Sequence, residues 1–584
     1  MKRFWKIVLG SFLGTLIALV VLTLIMFGAI GSIASLGSSE APAVSDNSIL
    51  KIDMATGITE QGSEDFTFDL SSRSASLSTS LSLLNAVRAI DQAAEDPSIK
   101  MVYIRCDSGS GFTFSQAEEL RKALVNFRES GKPVVAYMSQ LSSGMYYFTS
   151  VADKVILNAY ADCLVSGMSS TMMYYKDLID ALGIDIQLIR HGKYKSAGEP
   201  YIRSDMSEAN REQYEVLLNS IWSTIVESIA SSRDFTAEDY NSWVDNLTIG
   251  SVEAALEKGL VDELWFDDQV SQYLCTLTEV EEEKDLKFVS LSNYAKAKVK
   301  PNVRAKDKIA VVYADGEIMM GESGNGIIGD KFSKEIEKVR KDSTIKAVVF
   351  RVNSPGGSVQ ASAIIEREIE LLKAAKPVIA SYGSYAASGG YWISCASDKI
   401  FSDNTTLTGS IGVFGLIPSF GRALKKNLHL NVYEVSTHKH GAMINGYSPL
   451  DADEERFWQN NIEGIYTDFV GRVAEGRDMS PEDVDNLGQG RVWSGRDAIK
   501  IGLVDEIGGL TDAISYAAAA VGLEEYQTVE YPVVKSAADK LMESLLNSKA
   551  RSSAMPDCVS QAEQWLSSIS EPQVVARMDN IIIK

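Results

Sequence analysis

Two short motifs carry residue types suited to acyl transfer. The first is Tyr385-Ala386-Ala387-Ser388-Gly389-Gly390-Tyr391-Trp392, a serine set among small residues. At the start of a helix such a serine is accessible, and the amide N–H of Gly389 can aim at a substrate oxygen, which suits a nucleophile with an oxyanion hole. The second is Asn353-Ser354-Pro355-Gly356-Gly357-Ser358, whose paired glycines permit a sharp turn with unobstructed N–H groups able to bind an anion. It is neither a P-loop nor a dinucleotide fingerprint. Each motif also has an ordinary reading, as close packing of small residues or as a plain strand-to-helix turn. Their occurrence together favours chemistry.

A serine nucleophile needs a base. The four histidines, His191, His429, His438 and His440, are all distant in sequence from both motifs. Lysine is the alternative, provided burial lowers its pKa from ~10.4 toward neutrality, because desolvation penalises the charged form. Lys195, in Gly192-Lys193-Tyr194-Lys195-Ser196-Ala197-Gly198-Glu199-Pro200, lies beside small residues that would admit it to a packed pocket. Taken alone it reads as a surface lysine. No metal or other cofactor is expected. The five cysteines (Cys106, Cys163, Cys275, Cys395, Cys558) are scattered and lack a CxxC pair. His438 and His440 have no nearby cysteine and little carboxylate support before Asp451.

The elements that must position these residues follow from hydrophobic pattern. Lys308 to Tyr313 and Ala347 to Val352 read as buried strands ended by glycine turns. From Ser358 to Ala375, Ala361, Ile365, Ile369 and Leu372 share one face, which predicts an amphipathic helix covering a sheet. Pro377 stops it and Val378-Ile379-Ala380 begins the next strand. Strand, helix, strand in that order builds a parallel α/β core. It also puts Ser388 near the same sheet edge as Gly356 and Gly357.

This body occurs twice. Ile99-Lys100-Met101-Val102-Tyr103-Ile104-Arg105 returns as Ile345 to Arg351, Lys132-Pro133-Val134-Val135-Ala136 as Lys376 to Ala380, and Gly259-Leu260-Val261-Asp262-Glu263 as Gly502 to Glu506. The offset stays between 240 and 246 residues, so each copy is a complete domain and not a solenoid unit. Ser388 corresponds to Ser143, and Lys195 to His440, with Lys439 one residue away. The two halves are therefore expected to have specialised, one supplying the base and the other the nucleophile.

Tyr194-Lys195-Ser196-Ala197, Ser354-Pro355-Gly356-Gly357, the Ser388 motif and Thr408-Gly409-Ser410-Ile411-Gly412 together resemble the signal peptide peptidase A (protease IV) family, in its long duplicated membrane-anchored form. The resemblance runs from the N-terminal apolar run to about Gly509. It implies two tandem Clp protease/crotonase-like (ββα superhelix) domains and a Ser/Lys dyad. Ser388 would be the nucleophile, Lys195 the general base, and Ser410 a hydroxyl orienting the lysine. The amide of Gly389, with one from Gly356 or Gly357, would form the oxyanion hole. It further implies a homotetrameric dome, and as substrates signal-peptide remnants and other short apolar peptides.

Lys2, Arg3 and Lys6 precede a stretch with no charge from Ile7 to Ser39. Ile7 to Ile30 would span ~36 Å as a helix, enough to cross a bilayer core of about 30 Å. The positive-inside tendency then keeps the N-terminus cytoplasmic and the body extracytoplasmic, at a bacterial inner membrane by resemblance. The expected division is 1–45 anchor, 46–290 first domain, 291–307 linker, 308–535 second domain and 536–584 helical extension. A formal charge of −22 argues against nucleic acid as a partner. Two other readings stay open: an acyl-CoA enzyme of the crotonase type, and a non-catalytic oligomeric membrane scaffold.

Overall fold

The computed structural model describes residues 43–69, 74–107, 109, 111–321, 326–534 and 573–578, with Gly14 and Asp539 as isolated positions. Apart from Gly14, the anchor expected over Ile7 to Ile30 lies outside these residues. Among the described residues, no helix is long and apolar enough to cross a membrane.

Each half is built on a parallel sheet. In the first, the strand order is Glu263–Trp265, Lys154–Leu164, Val134–Ser142, Ile99–Cys106, Ser48–Asp53 and Lys287–Ser290. In the second, Leu407–Gly409, Val378–Ala387, Ile345–Ser354, Lys308–Asp315 and Gln527–Tyr531 follow one another, with Val492–Ser494 antiparallel at one edge. The copies share even an irregularity. Register slips after Ser48 against Ile99–Cys106, and likewise after Lys308 against Ile345–Ser354.

Burial follows the sequence pattern. Val348, Val349, Phe350 and Val352 of the central strand are all buried, as a parallel sheet covered on both faces requires. Each such side chain contributes about 1.5–3 kcal/mol by leaving water. The expected helix forms over Val359–Lys373, with Ser358 accepting from the Ala361 N–H at its N-terminus. Its face of Ala361, Ile365, Ile369 and Leu372 is buried.

Two segments differ from expectation. The stretch read as a bare linker carries the helix Leu291–Lys298, which folds back on the first half. Its Tyr294 hydroxyl donates to Asp96 at 2.9 Å, and Lys298 pairs with the same carboxylate. Leu291, Tyr294 and Ala295 supply the apolar contact despite the surrounding charge. In the tail read as helical, Gln573–Arg577 is a β-strand. Its Val574-Val575 pair is β-branched, and two strand edges are open to receive it.

The halves are locked together by buried charge. Arg351, on the central strand of the second half, donates to Glu60 at 2.7 Å and to Glu119 at 2.8 Å, both from the first half. All three side chains are almost wholly removed from solvent. A third, smaller sheet joins both halves directly, in the order Ile327–Ile328, Ile318–Met319, Gly356–Ser358, Gln573–Arg577, Phe414–Ser419 and Asp185–Arg190.

Candidate active site

Ser388 stands at the end of the Val378–Ala387 strand and caps the short helix Gly389–Trp392. Its backbone sits at φ 55°, ψ −117°, a sparsely populated region that costs on the order of 1–3 kcal/mol for a residue with a side chain. Neighbours enforce it: the Ser388 N–H donates to the Gly409 carbonyl at 2.8 Å. Gly390 packs against Ser354 so tightly that a β-carbon would come within 2.5 Å of the Ser354 oxygen. The small residues of this motif therefore serve both packing and the sharp turn.

Lys195 arrives from the other half. The strand Asp185–Arg190 pairs antiparallel with Phe414–Ser419 and ends at Arg190 opposite Phe414. Arg190 donates to the Lys195 carbonyl at 2.7 Å and pairs with buried Glu199, which pins the loop that follows. That loop docks on residues 489–490. Tyr194 N–H donates to the Gln489 carbonyl, and Gly490, at φ +79°, leaves room where a β-carbon would meet that of Lys195 at 2.6 Å. The Lys195 amine thus lies 2.8 Å from Ser388 Oγ, 3.0 Å from Ser410 Oγ and 3.2 Å from the Ser410 carbonyl. Lysine and both serines are buried, Lys195 with 1% exposure. The groups meet within one chain.

Gly356 and Gly357 lie beside this pair. A β-carbon on Gly356, at φ +96°, would sit 2.6 Å from the Gly389 nitrogen, so the two glycines abut. The Gly356 N–H reaches Ser354 Oγ at 3.2 Å. The motif does not lead straight into a helix: Gly356–Ser358 is a short strand of the small sheet, and the helix begins at Val359. Sequence reasoning missed Arg190 and Gly490, which seat the lysine, and had Gly412 only as part of the Thr408–Gly412 motif, without its place against the Lys195 side chain. It also missed the Gln573–Arg577 strand against Gly356–Ser358.

The first-half counterpart is built differently. Ser143 also stands at a strand–helix junction, but it is only half-buried, its hydroxyl is bonded to the Ser166 carbonyl, and its φ is not positive. Around Gly144 and Gly109 a β-carbon would meet nothing within 4 Å. Ser108 and Ser110 lie outside the described residues. His440 is part-buried beside Glu454 at 3.0 Å. Carboxylate support is closer than the sequence suggested: His440, Asp451 and Glu454 place ligand-type atoms within 4.8 Å of one another. Asp451 and Glu454 are already engaged as the reciprocal cap of the helix Ala452–Arg477. His191 stacks on Tyr466 and bonds Glu463 at 2.6 Å.

A cavity of about 260 Å³ opens between the halves, lined by Phe112, Phe114, Tyr147, Ile221, Tyr385 and Leu407 among others. Tyr385 and Leu407 belong to the two strands that carry Ser388 and Ser410.

The model of the family described as peptidase family S49 matches residues 126–281 and again 370–524. Protease 4 of Haemophilus influenzae is 35% identical over 77% of this chain and 75% of its own length. Protease 4 of Salmonella typhi is 35% identical over 80% of this chain and 76% of its own. A protein of Arabidopsis thaliana named as a chloroplastic serine protease SPPA is 32% identical over 73% and 64%.

Proposed function

The chain belongs to peptidase family S49 and is a serine peptidase, and from that membership we propose a membrane-anchored endopeptidase with Ser388 as nucleophile and Lys195 as general base. The observation that carries this reading is the 2.8 Å approach of the Lys195 amine to Ser388 Oγ, within reach for direct proton transfer. Burial costs an ammonium more than an amine, which favours the basic form. Ser410, 3.0 Å from the same nitrogen, orients it.

In the reaction, Lys195 takes the proton from Ser388 as Oγ attacks the substrate carbonyl. The oxyanion that forms is held by the Gly389 amide and a second from the Gly356–Gly357 turn. Lys195 then protonates the leaving amine, and water hydrolyses the acyl ester. The strained turn at Ser388 fixes Oγ before substrate arrives, so little reorganisation is needed. Each half is read as a Clp protease/crotonase-like domain.

Substrates are signal-peptide remnants and other short apolar peptides, a class that the aromatic cavity beside Tyr385 and Leu407 suits. The N-terminal run anchors the chain at a bacterial inner membrane, with the body extracytoplasmic and assembled as a homotetramer. A fluorophosphonate probe tests the site. It should label Ser388 in the wild-type chain, lose that label in Ser388→Ala, and label Lys195→Ala far more slowly. Equal labelling of all three would refute the dyad.

A further inference from the structure

The small sheet contains one strand that differs from the rest. Gln573–Arg577 lies between Gly356–Ser358 and Phe414–Leu416, antiparallel to both, and joins them into one sheet. These are the strands beside the candidate nucleophile, and an extended peptide laid between two strand edges is how main-chain recognition works in many peptide-binding proteins. The register is specific. Gly357 faces Ala576, and Gly356 faces Arg577. The Ala576 carbonyl oxygen points at the turn: it is the nearest atom to a β-carbon placed on Gly356, at 2.1 Å, and lies 3.1 Å from one placed on Gly389. Beyond that carbonyl the chain continues, with the Met578 N–H donating to Pro355 at 2.8 Å. Ala576 itself is fully buried, which leaves space for a small side chain only. Arg577 reaches outward, and its guanidinium pairs with Glu317 at 3.0 Å, about one third of each side chain remaining exposed. Glu317 directly precedes Ile318, which pairs with Gly357.

Resting on the peptidase reading above, we infer that Gln573–Arg577 holds the place of a bound substrate, with the Ala576–Arg577 bond in the position of the cleaved bond, and that Glu317 selects a basic residue immediately after that bond. For a substrate in this register, Ser388 Oγ forms an ester with the carbonyl carbon of the small residue. The C–N bond to the basic residue breaks, and its amine leaves with the proton carried by Lys195. Water then releases the acid and restores the hydroxyl. Main-chain pairing on both sides makes binding tolerant of sequence, so the Glu317 contact is a source of preference and not an absolute requirement.

The full-length chain is tested with the peptide Gln-Val-Val-Ala-Arg-Met-Asp and a twin carrying Gln in place of Arg, products being identified by mass. Both should be cut after Ala, with kcat/KM about two- to five-fold higher for the Arg peptide at low salt, the size expected of a partly exposed ion pair. The ratio between the two peptides, read on one enzyme preparation, should fall to about one in Glu317→Gln and be restored in part by Glu317→Asp. Cleavage at another bond, or an Arg preference unchanged in Glu317→Gln, overturns the assignment. Denatured casein separates this from the underlying reading. Casein cut by the wild type and spared by Ser388→Ala, without an Arg preference, defeats the Glu317 proposal alone. Casein left intact by the wild type defeats both.

Discussion

Arg190 and Phe414 face one another across an antiparallel strand pair although 224 residues separate them in the chain. That pairing brings the front-half loop carrying Lys195 to the back-half turn carrying Ser388. Under the proposed dyad, this is how a duplicated chain would divide one reaction between its copies, since an edge strand of one half extends a sheet of the other.

Substitution at the proposed nucleophile and base should separate the copies. Ser388→Ala and Lys195→Ala are expected to lower peptidase kcat by about 1,000-fold or more, with unchanged circular dichroism. Ser143→Ala, at the half-buried junction of the first half, should leave turnover within two-fold, roughly the noise of a change outside the reacting groups. The reverse pattern in a fluorogenic peptide assay would place the chemistry in the wrong half.

Gly490→Ala tests the seat of the lysine. The residue adopts φ +79°, and a β-carbon would collide with Lys195. A displacement of about 1 Å in a catalytic group costs about 100-fold. The expected result is a fall in kcat of that order with little change in KM, measured by initial rates.

Ser410→Ala removes one of the hydroxyls around the lysine amine. A loss of about ten-fold in kcat is expected, the size of one good orienting hydrogen bond. Because the hydroxyl acts on Lys195, the pH–rate profile should move as well, which a purely structural role would not cause. A profile superimposable on wild type, with only a lower melting temperature, would assign Ser410 to packing.

Arg351 sits between Glu60 and Glu119 at the junction of the halves. Arg351→Met should cost about 3–5 kcal/mol in urea denaturation, because it leaves two carboxylates buried without their cation. Burial already holds the Glu119 carboxyl above the usual range in spite of Arg351, and Asp403 is raised by burial and by Glu119. A carboxyl raised in the folded state favours folding below its ordinary value, and that contribution is lost as pH rises through the folded value. The variant should therefore be less impaired at pH 5 than at pH 8.

Asp96 behaves in the opposite sense. Burial alone would raise its carboxyl, but Lys298, the Ser98 N–H and Tyr294 bring it down to about 2, from an ordinary 3.8. The resulting stability, up to about 2 kcal/mol, is complete above the ordinary value and disappears as pH falls through about 2. Asp96→Asn should lower the melting temperature at pH 7 and converge with wild type near pH 2. A constant gap across that range would show that the loss is one of shape and not of charge.

Much of the architecture was legible in the sequence, because strand runs, the Val359–Lys373 helix and the glycine turns are written in windows of a few to about twenty residues, where periodicity and propensity act. The duplication was legible for a different reason: a collinear repeat needs no knowledge of contacts. Ser388 and the Gly356–Gly357 turn could be grouped by the rule that successive parallel strands end at one edge of the sheet. The stretch 291–307, expected as a linker, misled because three apolar residues, Leu291, Tyr294 and Ala295, were enough to hold a helix against a large core.

Lys195 is the opposite case. Its type and small neighbours made it a candidate, partly through family resemblance, but nothing local states which strand edge it will meet. That choice belongs to the tertiary structure, along with the fit of Gly490 under the lysine, the burial of Arg351 between two acids, and the strand Gln573–Arg577 laid across Gly356. Each depends on surfaces contributed by distant segments. Edge hydrogen bonds are chemically alike from one strand to another, so only the packing of the whole chain determines which edges come together.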